Sequence, residues 1–291
     1  MNLFFLGASG FVGSHALRLA RAAGHRAWGT RASQHGDGLL PFDLRRDRLA
    51  EVLKGLDRDP AQPSYGIVCA SVRQIDQCCR EREETRAINC TGTIAALEDF
   101  AAAGFKPVFV STSFVFSGRE GYYVEGDARG PVCEYGRQKA EVEQWMETRH
   151  PDGLVIRLDK IVGSDPAEEH LFSEWLRLLR AGKPLECIAG QIMSPTNVVD
   201  AAQAIVLACE HDLSGICHAA NPEFFERGEL ARAFCRVLDL PGEVVSKPQD
   251  AFPFADPRPL KTYLDSSRFA AATGFRFTTM RQTFLDLKAA L

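Results

Sequence analysis

Short apolar runs alternate with longer amphipathic ones through the first two thirds of this 291-residue chain, and that rhythm restricts the fold more than any other feature. Residues 2–6 (N-L-F-F-L) are apolar throughout and of strand length. Residues 11–23 repeat apolar side chains at helical spacing and stop at Gly24. Further strands are expected at 26–30, 65–70, 106–111 and 154–158. Further helices are expected at 85–103, ending at Gly104, and at 134–149, ending before Pro151. Strand-helix alternation of this kind builds parallel βαβ units with right-handed crossovers, and hence a doubly wound α/β sheet. After about residue 164 the rhythm loosens. Helical stretches at 168–181, 198–210, 227–238 and 279–291 are separated by short strands and by a Pro-rich loop at 252–259. No flexible linker separates the two parts, so the expected division, 1–163 and a smaller α/β lobe over 164–291, has a soft boundary with the chain partly interleaved.

Composition excludes several classes. A formal net charge of -4 gives no basic face for a nucleic-acid partner. No apolar run approaches the roughly 20 residues that span a bilayer, and the apolar start, broken at Gly7, has no basic segment before it as a secretory signal has. Nine scattered cysteines include one adjacent pair (Cys78, Cys79) and no C-x-x-C. That pattern argues against a metal site and a disulfide framework, and fits free thiols in the cytoplasm.

The turn between the first strand and first helix reads Gly7-Ala8-Ser9-Gly10-Phe11-Val12-Gly13. Glycines at this spacing permit the tight turn, let backbone N–H groups approach a pyrophosphate and let the helix pack closely on the sheet. The anion then sits at the positive end of the helix dipole. Position directly after a strand marks a dinucleotide site of the Rossmann type, with Gly7, Ser9, Gly10, Phe11, Val12 and Gly13 against the phosphates. Residues 1–163 are therefore expected to be the dinucleotide-binding domain and 164–291 the substrate-binding lobe. At the end of the second strand, Trp28-Gly29-Thr30-Arg31-Ala32-Ser33 has no carboxylate before Asp37. A carboxylate there suits the ribose 2′-OH of NAD, whereas Arg31 suits a 2′-phosphate. NADP(H) is the expected cofactor, with NAD(H) as the alternative.

Tyr135-Gly136-Arg137-Gln138-Lys139 places a phenol and an ammonium one turn apart on one helix face. A free phenol has a pKa near 10, and a neighbouring cation brings the phenolate within reach of acid–base work. About two dozen positions earlier the strand Val110-Ser111-Thr112-Ser113-Phe114 ends in hydroxyl residues. Ligands of open α/β sheets gather at such strand ends, where a hydroxyl can hydrogen-bond a reacting carbonyl or cap the loop instead.

These residues resemble the extended short-chain dehydrogenase/reductase superfamily, and more narrowly the dTDP-4-dehydrorhamnose reductase family. The resemblance covers nearly the whole chain. It runs through G-A-S-G-F-V-G, Phe42-Asp43-Leu44, Ile75-Asp76-Gln77-Cys78, Ile88-Asn89, S-T-S-F-V-F-S-G and Y-G-R-Q-K. It continues with Arg157, Ser194-Pro195-Thr196 and Arg258-Pro259-Leu260. The resemblance implies Tyr135 as general acid, Lys139 as its electrostatic partner, which also holds the nicotinamide ribose, and Thr112 as the catalytic hydroxyl. It implies Asp43 and Leu44 beside the adenine, Cys69, Ala70 and Ser71 along the cofactor, and Asn89 in an active-site water network. It implies a nucleotide-sugar substrate and, through the 85–103 and 134–149 helices, a homodimer, although Glu141, Glu143, Glu147 and Arg149 make the second helix polar.

Two departures stand out. The family continues the catalytic Thr with Asp-Tyr where this chain has Ser113-Phe114, and it places a Trp where Lys160 stands. In the resemblance all three positions face the sugar, and polar mismatches in a closed site are costly. The expected activity is NADP(H)-dependent reduction of a nucleotide-activated keto sugar. The alternatives are an NAD(P)-dependent nucleotide-sugar epimerase and a non-catalytic, NADP-binding regulatory subunit.

Overall fold

A computed structural model describes residues 1–32 and 38–291. Seven parallel strands form its central sheet, in the order Gly215–His218, Leu154–Leu158, Lys106–Thr112, Ser64–Val68, Asn2–Leu6, Arg26–Arg31 and Leu40–Pro41. From Asn2–Leu6 the chain builds outward through two strands, then crosses to Ser64–Val68 and builds outward the other way. The reversal makes a switch point between Asn2–Leu6 and Ser64–Val68, which pair from Asn2 opposite Ser64 to Leu6 opposite Val68. A crevice opens outside the carboxyl ends of such strands. The sheet is the doubly wound one that the alternation implies.

Side-chain alternation along the strands divides the core. Leu3 and Phe5 join Ile67, Val108 and Ile156 beneath the Phe11–Ala22 and Val198–Glu210 helices. Phe4 and Leu6 join Phe100, Phe109, Val142 and Met146 on the other face. Covered on both faces, Asn2–Leu6 is buried throughout, which explains its unbroken apolar run. Alanines 16 and 20 of one helix and 201, 204 and 208 of another fill the first layer. The second segment has its own core, where Phe172, Trp175, Phe234 and Phe284 pack with ring centroids 5.0–5.7 Å apart. Each such ring contributes about 1.5–3 kcal/mol by burial. Gly215–His218, from the same segment, nevertheless pairs with Leu154–Leu158 and completes the main sheet.

Several elements differ from their sequence readings. The helix expected at 168–181 spans Leu171–Arg180, because the His170 side chain caps it and Glu168 turns away to His15. The helix expected at 85–103 is Arg82–Arg86 and Thr93–Ala102 joined by a π-helical segment, Ala87–Gly92. The strand expected at 65–70 is Ser64–Val68. Leu49–Lys54, Ile75–Arg80 and Ser267–Thr273 are helices of six or seven residues, too short for a periodic pattern to show. No helix among the described residues is long and apolar enough to cross a membrane.

Candidate active site

At the switch point, Gly7 leaves the first strand with φ +88°. A Cβ there would lie 2.6 Å from the Ala70 nitrogen and 2.7 Å from its Cα, so only glycine lets the two turns approach. The turn is held by Gly7 N–H donating to Thr30 Oγ1 (3.0 Å) and Gly10 N–H donating to the Gly7 carbonyl (3.1 Å). Across it, the Cys69 and Ala70 N–H groups both donate to the Leu6 carbonyl (2.9 Å each). The Phe11–Ala22 helix begins after Gly10 with neither a side-chain cap nor an acidic residue in its first turn. Its N-terminal dipole therefore faces the crevice uncompensated by any side chain of its own, which suits an anionic ligand.

The crevice widens into a cleft of about 960 Å³. Gly7, Ser9, Gly10, Phe11, Val12 and Gly13 line one end, with Cys69, Ala70 and Ser71 beside them; Thr112, Phe114, Tyr135, Lys139 and Lys160 line the remainder. Thr112 ends the fifth sheet strand, and its hydroxyl accepts from the Phe114 N–H (3.3 Å). Helix Glu134–Arg149 starts against this turn, since a Cβ on Gly136 would lie 2.2 Å from the Phe114 carbonyl oxygen. The contact sets the Tyr135 ring edge-on to Phe114, with centroids 6.2 Å apart. One turn on, Lys139 Nζ donates to the Val110 carbonyl (3.0 Å) and sits 4.6 Å above the Phe109 ring and 6.0 Å from the Tyr135 ring.

Burial pulls Lys139 down to about 8 and pushes the Tyr135 phenol above its ordinary value of 10. The Ser71 hydroxyl and the Arg73 charge pull the phenol the other way. At neutral pH the phenol therefore keeps its proton. Burial also pushes the Cys69 thiol up to about 12, which leaves it an unreactive wall of the cleft.

Not every residue singled out in the sequence arrives here. Ser113 is buried, and its hydroxyl donates to Asp159 Oδ1 (2.6 Å), so it faces the cleft floor and not the cleft. Asp43 is clamped by Arg45 at 2.7 and 2.9 Å, which holds its carboxyl near 2, and Leu44 packs against the core. Neither is among the described residues lining the cleft. Arg31 closes its strand next to Ala32, which does line it. Ser33 and Asp37 lie outside the described residues.

Asn89, which the resemblance implies at the site, is brought to it, whereas Asp159, His170 and Arg73 gave no such signal in the sequence. Asn89, in the π-helical segment, accepts from the Val72 N–H (2.8 Å) and the Ser71 hydroxyl (3.2 Å) and donates to Gln138 Oε1 (2.8 Å). It thus ties the Ser71 turn to the Tyr135 helix. Asp159 accepts from Ser113 and from the Ser194 N–H (2.6 Å), and burial raises its carboxyl to about 6. His170 Nδ1 accepts from the Phe172 and Ser173 N–H groups while its ring stacks on Phe11 (5.7 Å, 16°). Arg73 lines the cleft from the turn after Ser64–Val68. Among the described residues, no cluster of His, Cys, Asp or Glu could hold a metal ion.

Fold and site together define an NAD(P)-dependent oxidoreductase of the extended short-chain dehydrogenase/reductase type. Residues 1–290 match the model of the RmlD substrate binding domain family, and the chain belongs to that family. It is 30% identical over 296 residues to the dTDP-4-dehydrorhamnose reductase of Mycolicibacterium smegmatis, covering 100% of this chain and 86% of that protein. It is similar to a solved structure described as a hypothetical dTDP-4-dehydrorhamnose reductase from Sulfolobus tokodaii, with TM-score 0.85 and 27% identity over 96% of this chain and 98% of that one. The dTDP-4-dehydrorhamnose reductase of Bacillus anthracis, solved in complex with NADP, shares the fold at TM-score 0.85 and 21% identity, covering 100% of both chains.

Proposed function

We propose that the chain reduces the keto group of a nucleotide-activated 4-keto sugar with NADPH. One observation carries this reading: a protonated, half-buried tyrosine shares a single cleft with a strand-end hydroxyl and an anion-ready helix N-terminus, in a chain of this reductase family. The cradle fits a dinucleotide, because the space a Cβ on Gly7 would fill is closed by Ala70 and the first turn of the helix bears no competing carboxylate. Gly7, Ser9, Gly10, Phe11, Val12 and Gly13 would hold the phosphates, Arg31 the 2′-phosphate, and Lys139 the ribose beside Tyr135. Cys69, Ala70 and Ser71 form the wall of that seat. The bound dinucleotide supplies the hydride.

The rest is done by the protein's own groups. Tyr135 donates its proton to the developing alkoxide, and the Thr112 hydroxyl hydrogen-bonds the same oxygen. Lys139 stabilises the phenolate left behind, with Arg73 adding positive charge. In this reading residues 1–163 carry the cofactor and 164–291, with Phe114 and Lys160, the sugar side. Nine free thiols support a reducing, cytoplasmic setting. Homodimerisation through the 82–102 and Glu134–Arg149 helices, which Arg86 and Glu141 join at 2.7 and 2.8 Å, is tested by light scattering at tens of micromolar.

The test is NADPH oxidation, followed by absorbance, with a panel of nucleotide 4-keto sugars. In Tyr135→Phe, kcat should fall by roughly 10² to 10⁴, the usual worth of a positioned acid–base group. Wild-type turnover in that variant would refute the mechanism. Epimer interconversion without NADPH consumption would replace the reductase reading with an epimerase.

A further inference from the structure

Lys160 and Arg73 are two of the cations that line the cleft. Lys160 lies two residues past the Leu154–Leu158 strand, and Arg73 enters from the turn after Ser64–Val68. Among the described residues neither side chain makes a hydrogen bond or an ion pair. The carboxylate next to Lys160 is already engaged, since the two oxygens of Asp159 accept from Ser113 and from the Ser194 N–H at 2.6 Å each. Glu174 also lines the cleft and its charge acts on Lys160, but among the described residues the two form no contact ion pair. Lys160 is drawn down to about 8 by burial and by the charges of Arg227 and Arg73, which outweigh the opposing pull of Glu174 and Asp159. Placing a cation half out of water beside two others, with no anion at contact, is unfavourable unless a ligand supplies the anion.

The ligand's anionic groups divide by position. The dinucleotide phosphates have their own seat at the Gly7–Gly13 turn. At the mouth of the cleft Arg177 and Arg180, both exposed and one turn apart at the end of Leu171–Arg180, offer a cationic pair to the substrate's diphosphate. Lys160 is half-buried and Arg73 exposed, and the two charges act on each other within the cleft. Arg73 is close enough for its charge to act on both the Tyr135 phenol and Lys160, and all three line the same cleft.

We propose that Lys160 and Arg73 form a subsite for a carboxylate carried by the sugar itself, making the substrate a nucleotide-linked keto-uronic acid or a similarly acidic sugar. The assignment rests on the nucleotide-sugar reading above and deepens it. A bound carboxylate would close the charge pattern that the protein leaves open, through charge-assisted hydrogen bonds.

Calorimetry on the NADPH-loaded protein tests it with four stable probes: UDP- and dTDP-glucuronate against UDP- and dTDP-glucose, with free UDP and dTDP as references. A hydrogen bond to a charged group is worth ~1.5–3 kcal/mol, so at 1.4 kcal/mol per decade the glucuronate of the preferred nucleotide should bind about 10- to 100-fold more tightly than the glucose. Lys160→Met and Arg73→Met should each erase most of that preference while NADPH and the free nucleotide diphosphates bind as before. Should the Met variants not fold, Lys160→Gln and the wild-type comparison suffice. Equal wild-type affinities for glucuronate and glucose, with free nucleotide diphosphate bound, would overturn this inference alone. So would a Lys160→Met variant that weakens free nucleotide diphosphate as much as glucuronate, for the lysine would then hold the diphosphate. Binding of NADPH but of no nucleotide or nucleotide sugar would overturn both this inference and the nucleotide-sugar reading.

Discussion

Gly7→Ala separates backbone strain from the closeness of the two turns. An L-residue in left-handed conformation costs about 1–2 kcal/mol. The added methyl also meets Ala70 N, Cα and Cβ at 2.6–2.8 Å, two of them backbone atoms that cannot rotate away. Overpacking of that kind costs about 1–3 kcal/mol, giving ~2–5 kcal/mol in all. Gly24→Ala is the control: φ is +82° and nothing lies within 4 Å of its Cβ, so it carries the strain alone. At roughly 2–4 °C per kcal/mol for chains somewhat shorter than this one, the Gly7 variant should melt about 2–12 °C below the Gly24 variant in differential scanning calorimetry. Relieving the clash must push the first turn away from Ala70. NADPH titration should then show affinity reduced by about an order of magnitude in Gly7→Ala, a misplacement cost of about 1.4 kcal/mol, and unchanged in Gly24→Ala. Equal melting and equal NADPH affinity in the two variants would refute the close-approach reasoning.

Three further outcomes are expected. Glu143→Gln removes the charge from a fully buried carboxylate that accepts from Arg157 (2.7 and 3.0 Å), Ser111 and Arg129. It leaves Arg157 uncompensated, so chemical denaturation should show a loss of about 3–5 kcal/mol. The Asp159 carboxyl is held at about 6 against an ordinary 3.8. Between those pH values the folded chain keeps a proton that the unfolded chain has lost, so stability relative to Asp159→Asn should fall as pH rises from about 4 to 6, by up to about 3 kcal/mol. NADP(H) should raise the melting temperature more than NAD(H) at equal concentration; an equal or larger shift with NAD(H) would remove Arg31 from the cofactor site.

What could be read in the sequence follows from how local each determinant is. Glu134–Arg149, Leu154–Leu158, Val198–Glu210 and Arg227–Leu238 begin and end at the residues that periodicity and punctuation indicate. Pro151 lies just beyond the first of these, and Asn197 and Glu226 cap the last two through their own side chains. Tyr135 and Lys139 were legible because helix spacing alone puts them on one face. The departures trace to partners far away in the chain. A His is not an ordinary helix cap, and only the fold brings His170 against Phe11. The start of the Tyr135 helix is held by Asp256, whose carboxylate accepts from the Glu134 N–H at 2.6 Å across 122 positions. Ser113 turned from the cleft because Asp159, 46 residues on, took its hydroxyl.

The strand Gly215–His218 carries a consequence for biosynthesis. Every residue of its neighbour Leu154–Leu158 is buried in the finished sheet, yet the ribosome makes that strand long before the one that covers its outer edge. Until Gly215–His218 emerges, the nascent chain presents an unpaired apolar edge, the kind of surface that recruits another chain or a chaperone. A fragment ending near residue 163 would keep the phosphate-binding turn and the Tyr135 helix and still aggregate for want of four residues made later.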